Sequence, residues 1–340
     1  NVACLGQALE ENKKELPTWR GHHEQNMALT GIAFSRAKRR KQIFVATSSV
    51  GPGSTNMLTA AAVAMSNRLP MLFLPGDTYA NRMPDPVLQQ VEHFNNPNIT
   101  QNDAFKYVTR YFDRITRPEQ ILQTFPQAIQ TMIDPADCGP ACISLSQDVQ
   151  GETFDYPEEF FNEKIHTIRR PRPDDYQIKQ AADLIKKSKN PIIISGGGIF
   201  YSDAMKELSQ FAKKHNIPTA QTVMGYSTMK KDDPYFLGAI GGFGGKAPND
   251  FMKKTDLAIA IGTKLADFTT GSWTNFENPN FKLVSINVSR FDANKHMAQS
   301  IVGDAKVCIQ DLTVALGSWK ASDDWYKKSR SAVNSWNNYL

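Results

Sequence analysis

The chain has 340 residues, enough for about two domains. A hydrophobic fraction of 41% and a charged fraction of 21% are globular values and exclude intrinsic disorder for the bulk of the chain. Lysine and arginine number 39 against 34 aspartates and glutamates, a net charge of +5 spread along the chain, and apolar stretches such as 60–65 and 257–261 fall far short of the ~20 residues of a bilayer span.

The first half alternates helix-like and strand-like segments. A helix-like stretch, 5–15, opens the chain. Residues 24–38 read as a helix with Met27, Ala28, Gly31, Ile32 and Ser35 along one face. It ends in the basic cluster Arg36, Lys38, Arg39, Arg40 and Lys41, where positive charge suits the helix dipole and nothing matches a nucleic-acid module. The run 43–46 reads as a buried strand, 50–53 as a turn and 54–66 as an Ala-rich helix. A second strand is predicted over 71–74, a helix with proline in its first turn over 118–132, and a third strand over 141–145. Strands that are apolar throughout and separated by helices predict a parallel α/β sheet.

From 151 to 175 this pattern stops, and Pro157, Pro171 and Pro173 sit among charged and aromatic residues as in an inter-domain linker. A second α/β pattern follows: a helix over 176–188, a strand over 192–194, Gly196-Gly197-Gly198, a helix over 202–215, and strands over 219–223, 257–261 and 282–288. Residues 323–340 read as an amphipathic helix carrying Trp325, Tyr326, Val333 and Trp336. The predicted fold is α/β: two doubly wound parallel-sheet domains of six or so strands, the first incomplete, over 1–150 and 176–320, with a terminal helix over 321–340.

Several motifs have a bland reading beside a functional one. Gly196 and Gly198 sit where a dinucleotide-binding turn would, but Tyr201 breaks the third glycine position, which favours a bare turn. Gly238, Gly241, Gly242, Gly244 and Gly245 crowd one loop and allow close backbone approach by another segment or by a ligand. His22, His23 and Glu24 lack further metal-ligand spacing, and no nucleophile elbow is present. Asp77 follows a strand, where α/β sites lie, and is equally a structural turn residue. The four cysteines, Cys4, Cys138, Cys142 and Cys308, read as reduced thiols of a cytoplasmic protein. The most informative combination is Glu24 at a helix start with the Gly51-Pro52-Gly53 turn after the next strand.

Gly21-His22-His23-Glu24-Gln25-Asn26-Met27-Ala28 and the stretch 47–56 resemble the pyrimidine-binding domain of thiamine-diphosphate enzymes of the acetolactate synthase type. The resemblance covers nearly the whole chain. Residues 139–149 are similar to the strand closing that domain, 190–198 to the opening of the central Rossmann-like domain, and 261–263, 286–288 and 303–305 to its later parts. Within the family, 84–90, 113–120 and 146–151 resemble the subgroup that opens a cyclic trihydroxy-1,2-dione of inositol catabolism by hydrolysing a carbon–carbon bond.

The resemblance implies thiamine diphosphate as cofactor, with Mg2+ in the intact enzyme. It implies Glu24 as the catalytic group: hydrogen-bonded to the pyrimidine nitrogen, it drives the imino tautomer that deprotonates the thiazolium carbon. An apolar site would raise its pKa. Glu24, Gly51, Pro52, Gly53 and Asn56 are implied at the cofactor, and Gln89, Gln90 and His93 near the substrate. The G-D-G…N diphosphate motif is not in the sequence; Gly76-Asp77-Thr78 and Gly303-Asp304-Ala305 do not fit it, so no metal site is expected in this chain. The family's first strand is also missing, and the chain begins at Asn1 without methionine. A fragment is therefore expected, N-terminally incomplete, lacking the diphosphate-binding domain and inactive alone. The altered glycine pattern speaks against FAD. The expected partners are a small-molecule substrate and further copies in a dimer or tetramer, without nucleic acid or membrane. Two alternatives stay open: a 2-keto acid carboligase or decarboxylase of the same family, and a non-catalytic nucleotide-binding or regulatory α/β protein.

Overall fold

The structure, a computed structural model, describes residues 1–339. The chain divides into two compact units, Asn1–Ile168 and Arg169–Leu340. The first holds a four-stranded sheet in the order β1-β2-β4-β3, with β1 over Val45–Ser48, β2 over Met71–Asp77, β3 over Tyr111–Ile115 and β4 over Pro140–Ser146. All its pairings are parallel. The second holds six strands, β5 (Pro191–Ser195), β6 (Thr219–Gln221), β7 (Phe236–Ala239), β8 (Leu257–Ile261), β9 (Lys282–Asn287) and β10 (Gln299–Val302), in the order β10-β9-β8-β5-β6-β7 and again all parallel.

The second sheet is covered on both faces. Ile193, Ile259, Ile261, Val284 and Ile286 join one buried cluster, while Ile192, Ile194, Ala258, Ala260 and Leu283 join another. Alternate side chains of a strand point to opposite faces, so strands that are apolar at every position must be sandwiched between two helical layers. From β5 the chain runs outward through β6 and β7, then returns to β8 on the other side of β5, which sets the topological switch point between β5 and β8.

Three strands escaped the sequence reading: β3, β7 and β10. β3 carries Asp113 and Arg114 and lies at a sheet edge, where the apolar-run criterion fails. β7 lies at the other sheet's edge and contains Gly238 with φ of +114°, at a register shift against β6. It occupies the start of the glycine-crowded stretch read as loop. The helix expected over 5–15 is Ala3–Glu11. That over 54–66 is two helices, Pro52–Thr55 and Leu58–Asn67. That over 202–215 is preceded by its own short helix, Gly197–Tyr201, and begins at Met205. The terminal helix spans Asp323–Tyr339, and residue 340 of the expected helix lies outside the described residues.

The segment read as a linker is ordered in both halves. Tyr156 stacks on Phe160 and meets Phe154 and Phe161 edge-on, and the Tyr156 hydroxyl donates to the Pro118 carbonyl at 3.3 Å in the first unit. Arg170 pairs with Asp304 at 3.1 Å and the Asp304 N–H donates to the Pro171 carbonyl at 2.8 Å in the second.

Candidate active site

Glu24 is the first residue of the helix Glu24–Ala37. His23 caps that helix: its Nδ1 accepts from the Asn26 N–H at 3.3 Å. An accepting Nδ1 leaves the proton of a neutral imidazole on Nε2, so the 3.5 Å approach of Asn56 Nδ2 to His23 Nε2 is not a hydrogen bond in that tautomer. Asn56 instead donates Nδ2–H to Glu24 Oε2 at 2.8 Å.

Asn56 reaches Glu24 because the predicted Ala-rich helix breaks there. Gly51 takes φ of +73°, Pro52 occupies the first helical position, and the Gly51 carbonyl accepts from the Thr55 N–H at 3.0 Å and the Thr55 hydroxyl at 2.6 Å. The short helix stops at Asn56, and the next begins at Leu58. A Cβ on Gly53 would stand 3.6 Å from Glu24 Oε1 and 2.5 Å from the Ser49 hydroxyl. The carboxylate thus has one oxygen tied to Asn56 and the other facing the side-chain space that Gly53 leaves empty.

The Glu24 carboxyl is held below the ordinary glutamate value of 4.5, first by the Asn56 hydrogen bond and then by its own backbone N–H at the helix start; burial opposes this weakly. This corrects the expectation of a raised pKa. In this chain the carboxylate is only half-buried and has two N–H donors, so hydrogen bonding outweighs desolvation.

A long loop after β2 comes over the turn. A Cβ on Gly51 would lie 1.9 Å from the Gln89 carbonyl oxygen, so the loop backbone rests directly on this glycine. Gln89 itself adopts φ of +70° and is exposed. Gln90 faces the loop: its Oε1 accepts from the Val87 N–H at 2.9 Å and its Nε2 donates to Asp85 Oδ1 at 2.7 Å. His93 is exposed, and its carbonyl accepts from the Asn96 N–H at 3.1 Å. Glu24, Gly51, Pro52, Gly53, Asn56 and Gln89 are therefore brought together, while the Gln90 amide is spent within the loop.

Asp77 has a structural role. It is fully buried, accepts from Arg114 Nε at 2.7 Å and from the Ser144 hydroxyl at 2.5 Å, and lies in a network with Asn102, Thr100 and Asp103. The guanidinium of Arg114 loses hydration by burial, yet Asp77 and Asp103 hold its pKa above the usual arginine value. In the second unit, the Gly196 and Gly198 N–H groups donate to the carbonyls of Ile261 and Gly262, both at 2.9 Å. The amides that would cradle a pyrophosphate are committed to the neighbouring strand end. The glycines at 241 and 242 serve a chain contact as well: a Cβ on Gly241 would lie 2.2 Å from the Phe268 carbonyl oxygen. Among the described residues no group of three or more His, Cys, Asp or Glu side chains is gathered as a metal site, and no helix is long and apolar enough to cross a membrane.

Two family models match the chain: the N-terminal TPP binding domain of thiamine pyrophosphate enzymes over residues 3–97, and the central domain of thiamine pyrophosphate enzymes over residues 178–312. The chain belongs to the thiamine pyrophosphate enzymes. Its two parallel-sheet units carry these two domains of the family. Among curated relatives, it is 46% identical over 335 residues to a 3D-(3,5/4)-trihydroxycyclohexane-1,2-dione hydrolase of Clostridium perfringens, covering 98% of this chain and 52% of that protein. It is 46% identical over 340 residues to the hydrolase of the same name from Clostridium tetani, covering 100% and 53%, and 44% identical over 340 residues to that of Bacillus cereus, again covering 100% and 53%. The chain spans about half the length of the curated relatives it matches.

Two site features were not legible in the sequence. The Gln89 carbonyl meets Gly51 across 38 positions, and Asp148 accepts the Ala80 and Asn81 N–H groups at 2.8 and 3.1 Å, anchoring the start of the same loop. Neither contact leaves a local signature, because each depends on neighbouring strands bringing distant loops to one end of the sheet.

Proposed function

We propose that the full-length protein is a thiamine-diphosphate-dependent hydrolase that cleaves a carbon–carbon bond of a cyclic trihydroxy-1,2-dione, and that Glu24 is the catalytic residue of this chain. The observation that carries this reading is the Glu24 carboxylate at a helix start, one oxygen held by Asn56 and the other turned to the space beside Gly53. That arrangement fits an aminopyrimidine ring: a carboxyl oxygen to share a proton with a ring nitrogen, and a wall with no Cβ to block a flat group. The relatives' names supply the substrate class.

Thiamine diphosphate, when bound, supplies the electron sink that carbon–carbon cleavage requires. Glu24 would hold the pyrimidine nitrogen and exchange a proton with it. Asn56 holds Oε2, while Oε1 lies toward Gly53. Covering that oxygen removes its water and raises the pKa from its depressed value in the uncovered chain, which favours proton sharing. Gly51, Pro52 and Gly53 form the wall, and Gln89 and His93, on the loop over the turn, are offered to the substrate.

The reading extends to Mg2+, which we place with the diphosphate on the part of the relatives that this chain does not span. It extends also to a homo-oligomer, a dimer or tetramer, and to the cytoplasm, consistent with four free cysteines.

In the full-length enzyme Glu24→Gln is expected to lower ring-opening turnover by ~10²-fold or more while leaving the fold intact, the size typical of a positioned proton-transfer group. Wild-type turnover in that variant would overturn the assignment. Calorimetric titration of the present chain alone with thiamine diphosphate and Mg2+ is expected to give no tight binding. Tight, Mg2+-dependent binding would put the diphosphate pocket inside these two domains.

A further inference from the structure

The loop after β2 is tied at three levels. Asp148 accepts the N–H groups of Ala80 and Asn81 at its base. Arg82 donates to the Asn98 side-chain oxygen across its middle. At its tip, Gln90 accepts from the Val87 N–H, donates to Asp85 and turns its own N–H to the Val87 carbonyl at 3.0 Å. These bonds enclose Gln89, whose φ of +70° is a left-handed conformation that a non-glycine residue holds at a cost. The same residue lays its carbonyl on Gly51, next to the turn that faces Glu24. An unfavourable backbone angle persists only where its surroundings over-determine it. The knot made by the Gln90 amide is that surrounding.

We infer that Gln90 is a positioning residue: its side chain ties Asp85 to Val87 and thereby holds Gln89 in its left-handed conformation over Gly51, so that Gln89 meets the substrate while Gln90 acts only through it. This rests on the proposed thiamine-dependent ring opening for its kinetic consequence; the structural part stands on the loop alone. The two adjacent glutamines, indistinguishable by type, are separated by what their amides do. Gln90 has an acceptor and a donor already satisfied inside the loop, whereas the Gln89 side chain is exposed.

The test reverses the donor and acceptor of the knot. In Gln90→Glu a carboxylate faces Asp85, and the two repel. In the double variant Asp85→Asn/Gln90→Glu the new amide at position 85 donates to the new carboxylate at position 90, which still accepts from the Val87 N–H. In the full-length enzyme Gln90→Glu is expected to lose about tenfold or more in kcat/KM, with thiamine diphosphate affinity unchanged, since a misplaced positioning group costs one to two orders of magnitude. The double variant is expected to regain most of that loss. Gln89→Ala should lose a similar factor that adding Asp85→Asn does not restore.

Hydrogen exchange over peptides spanning 80–99 supplies a readout independent of turnover. Exchange at Val87 should speed up in Gln90→Glu and slow again in the double variant. Wild-type kcat/KM in Gln90→Glu, or failure of the double variant to recover either readout, would overturn the inference. If the exchange pattern follows the swap but Glu24→Gln retains full turnover, the thiamine reading fails and the knot stands.

Discussion

Two glycine turns, one in each unit, join a strand to a helix, and they are put to opposite uses. Gly196 to Gly198 lie against the next strand end so closely that a Cβ on Gly198 would fall 2.5 Å from Gly262 Cα. The N–H groups of Gly196 and Gly198 donate to the carbonyls of Ile261 and Gly262. Gly51 to Gly53 instead leave space: Gly51 admits the carbonyl of a distant loop, and Gly53 opens onto the Glu24 carboxylate. The carboxylates of the first unit divide the same way. Asp77 is buried against Arg114, Ser144 and Thr78, while Glu24 has one oxygen held and one presented. What stands opposite a glycine or a carboxylate, rather than its place after a strand, separates scaffold from site.

Four substitutions sharpen or break that contrast. The largest effect is expected for Gly262→Ala, whose φ is +63° and whose Cβ would lie 2.5 Å from Gly198 Cα. A left-handed alanine and a backbone clash together should destabilise the second unit by about 3–4 kcal/mol, read from thermal or denaturant unfolding. Near-wild-type stability would mean the turn is loose enough to admit a ligand after all. Asp77→Ala should cost the first unit about 3 kcal/mol, because it leaves Arg114 with Asp103 as its remaining carboxylate partner in the network.

Gly53→Ala is expected to cost only about 1 kcal/mol of stability, since the nearest obstacle is a serine hydroxyl that can rotate away. It should nevertheless weaken thiamine diphosphate binding in the full-length enzyme by about tenfold, equivalent to about 1.4 kcal/mol, as measured by titration. Unchanged affinity would remove Gly53 from the cofactor wall.

The smallest effect is expected for Asn56→Ala on the isolated chain. A depressed folded-state pKa contributes stability above the unfolded value and loses it as pH falls through the folded one. For Glu24 that window lies below its ordinary value of 4.5. The variant should be less stable than wild type at pH 7 by under about 1 kcal/mol, this part-exposed bond being screened by water. The difference should shrink as pH drops through that range in denaturation midpoints taken at several pH values. A constant deficit would locate the effect of Asn56 in packing rather than in the carboxylate.

Much of the scaffold was legible because its strands are apolar at every position. Residues 192–194 and 257–261 could only be buried on both faces, and helices between them imply a parallel sheet. Edge strands broke that criterion: Asp113 and Arg114 in β3 and Gly238 in β7 interrupt the apolar pattern where one side of the strand has no neighbour. At the site, Glu24 and the Gly51-Pro52-Gly53 turn stood out by type and order. The break at Asn56 did not, because the alanines that follow outweigh the weak helix preference of Ser54, Thr55 and Asn56 in a linear reading.

The amino-acid sequence by itself determined the α/β class, the two-unit pattern and the family, since these follow from periodicity and from short motifs that are local along the chain. Only the tertiary structure decided which oxygen of Glu24 is presented, why its pKa falls rather than rises, that Asp77 belongs to a buried ion pair, and which of Gln89 and Gln90 is turned outward. Each of those depends on a contact between residues 30 or more positions apart or on the direction of one side-chain amide. Neither has a period or a composition that a linear reading can detect.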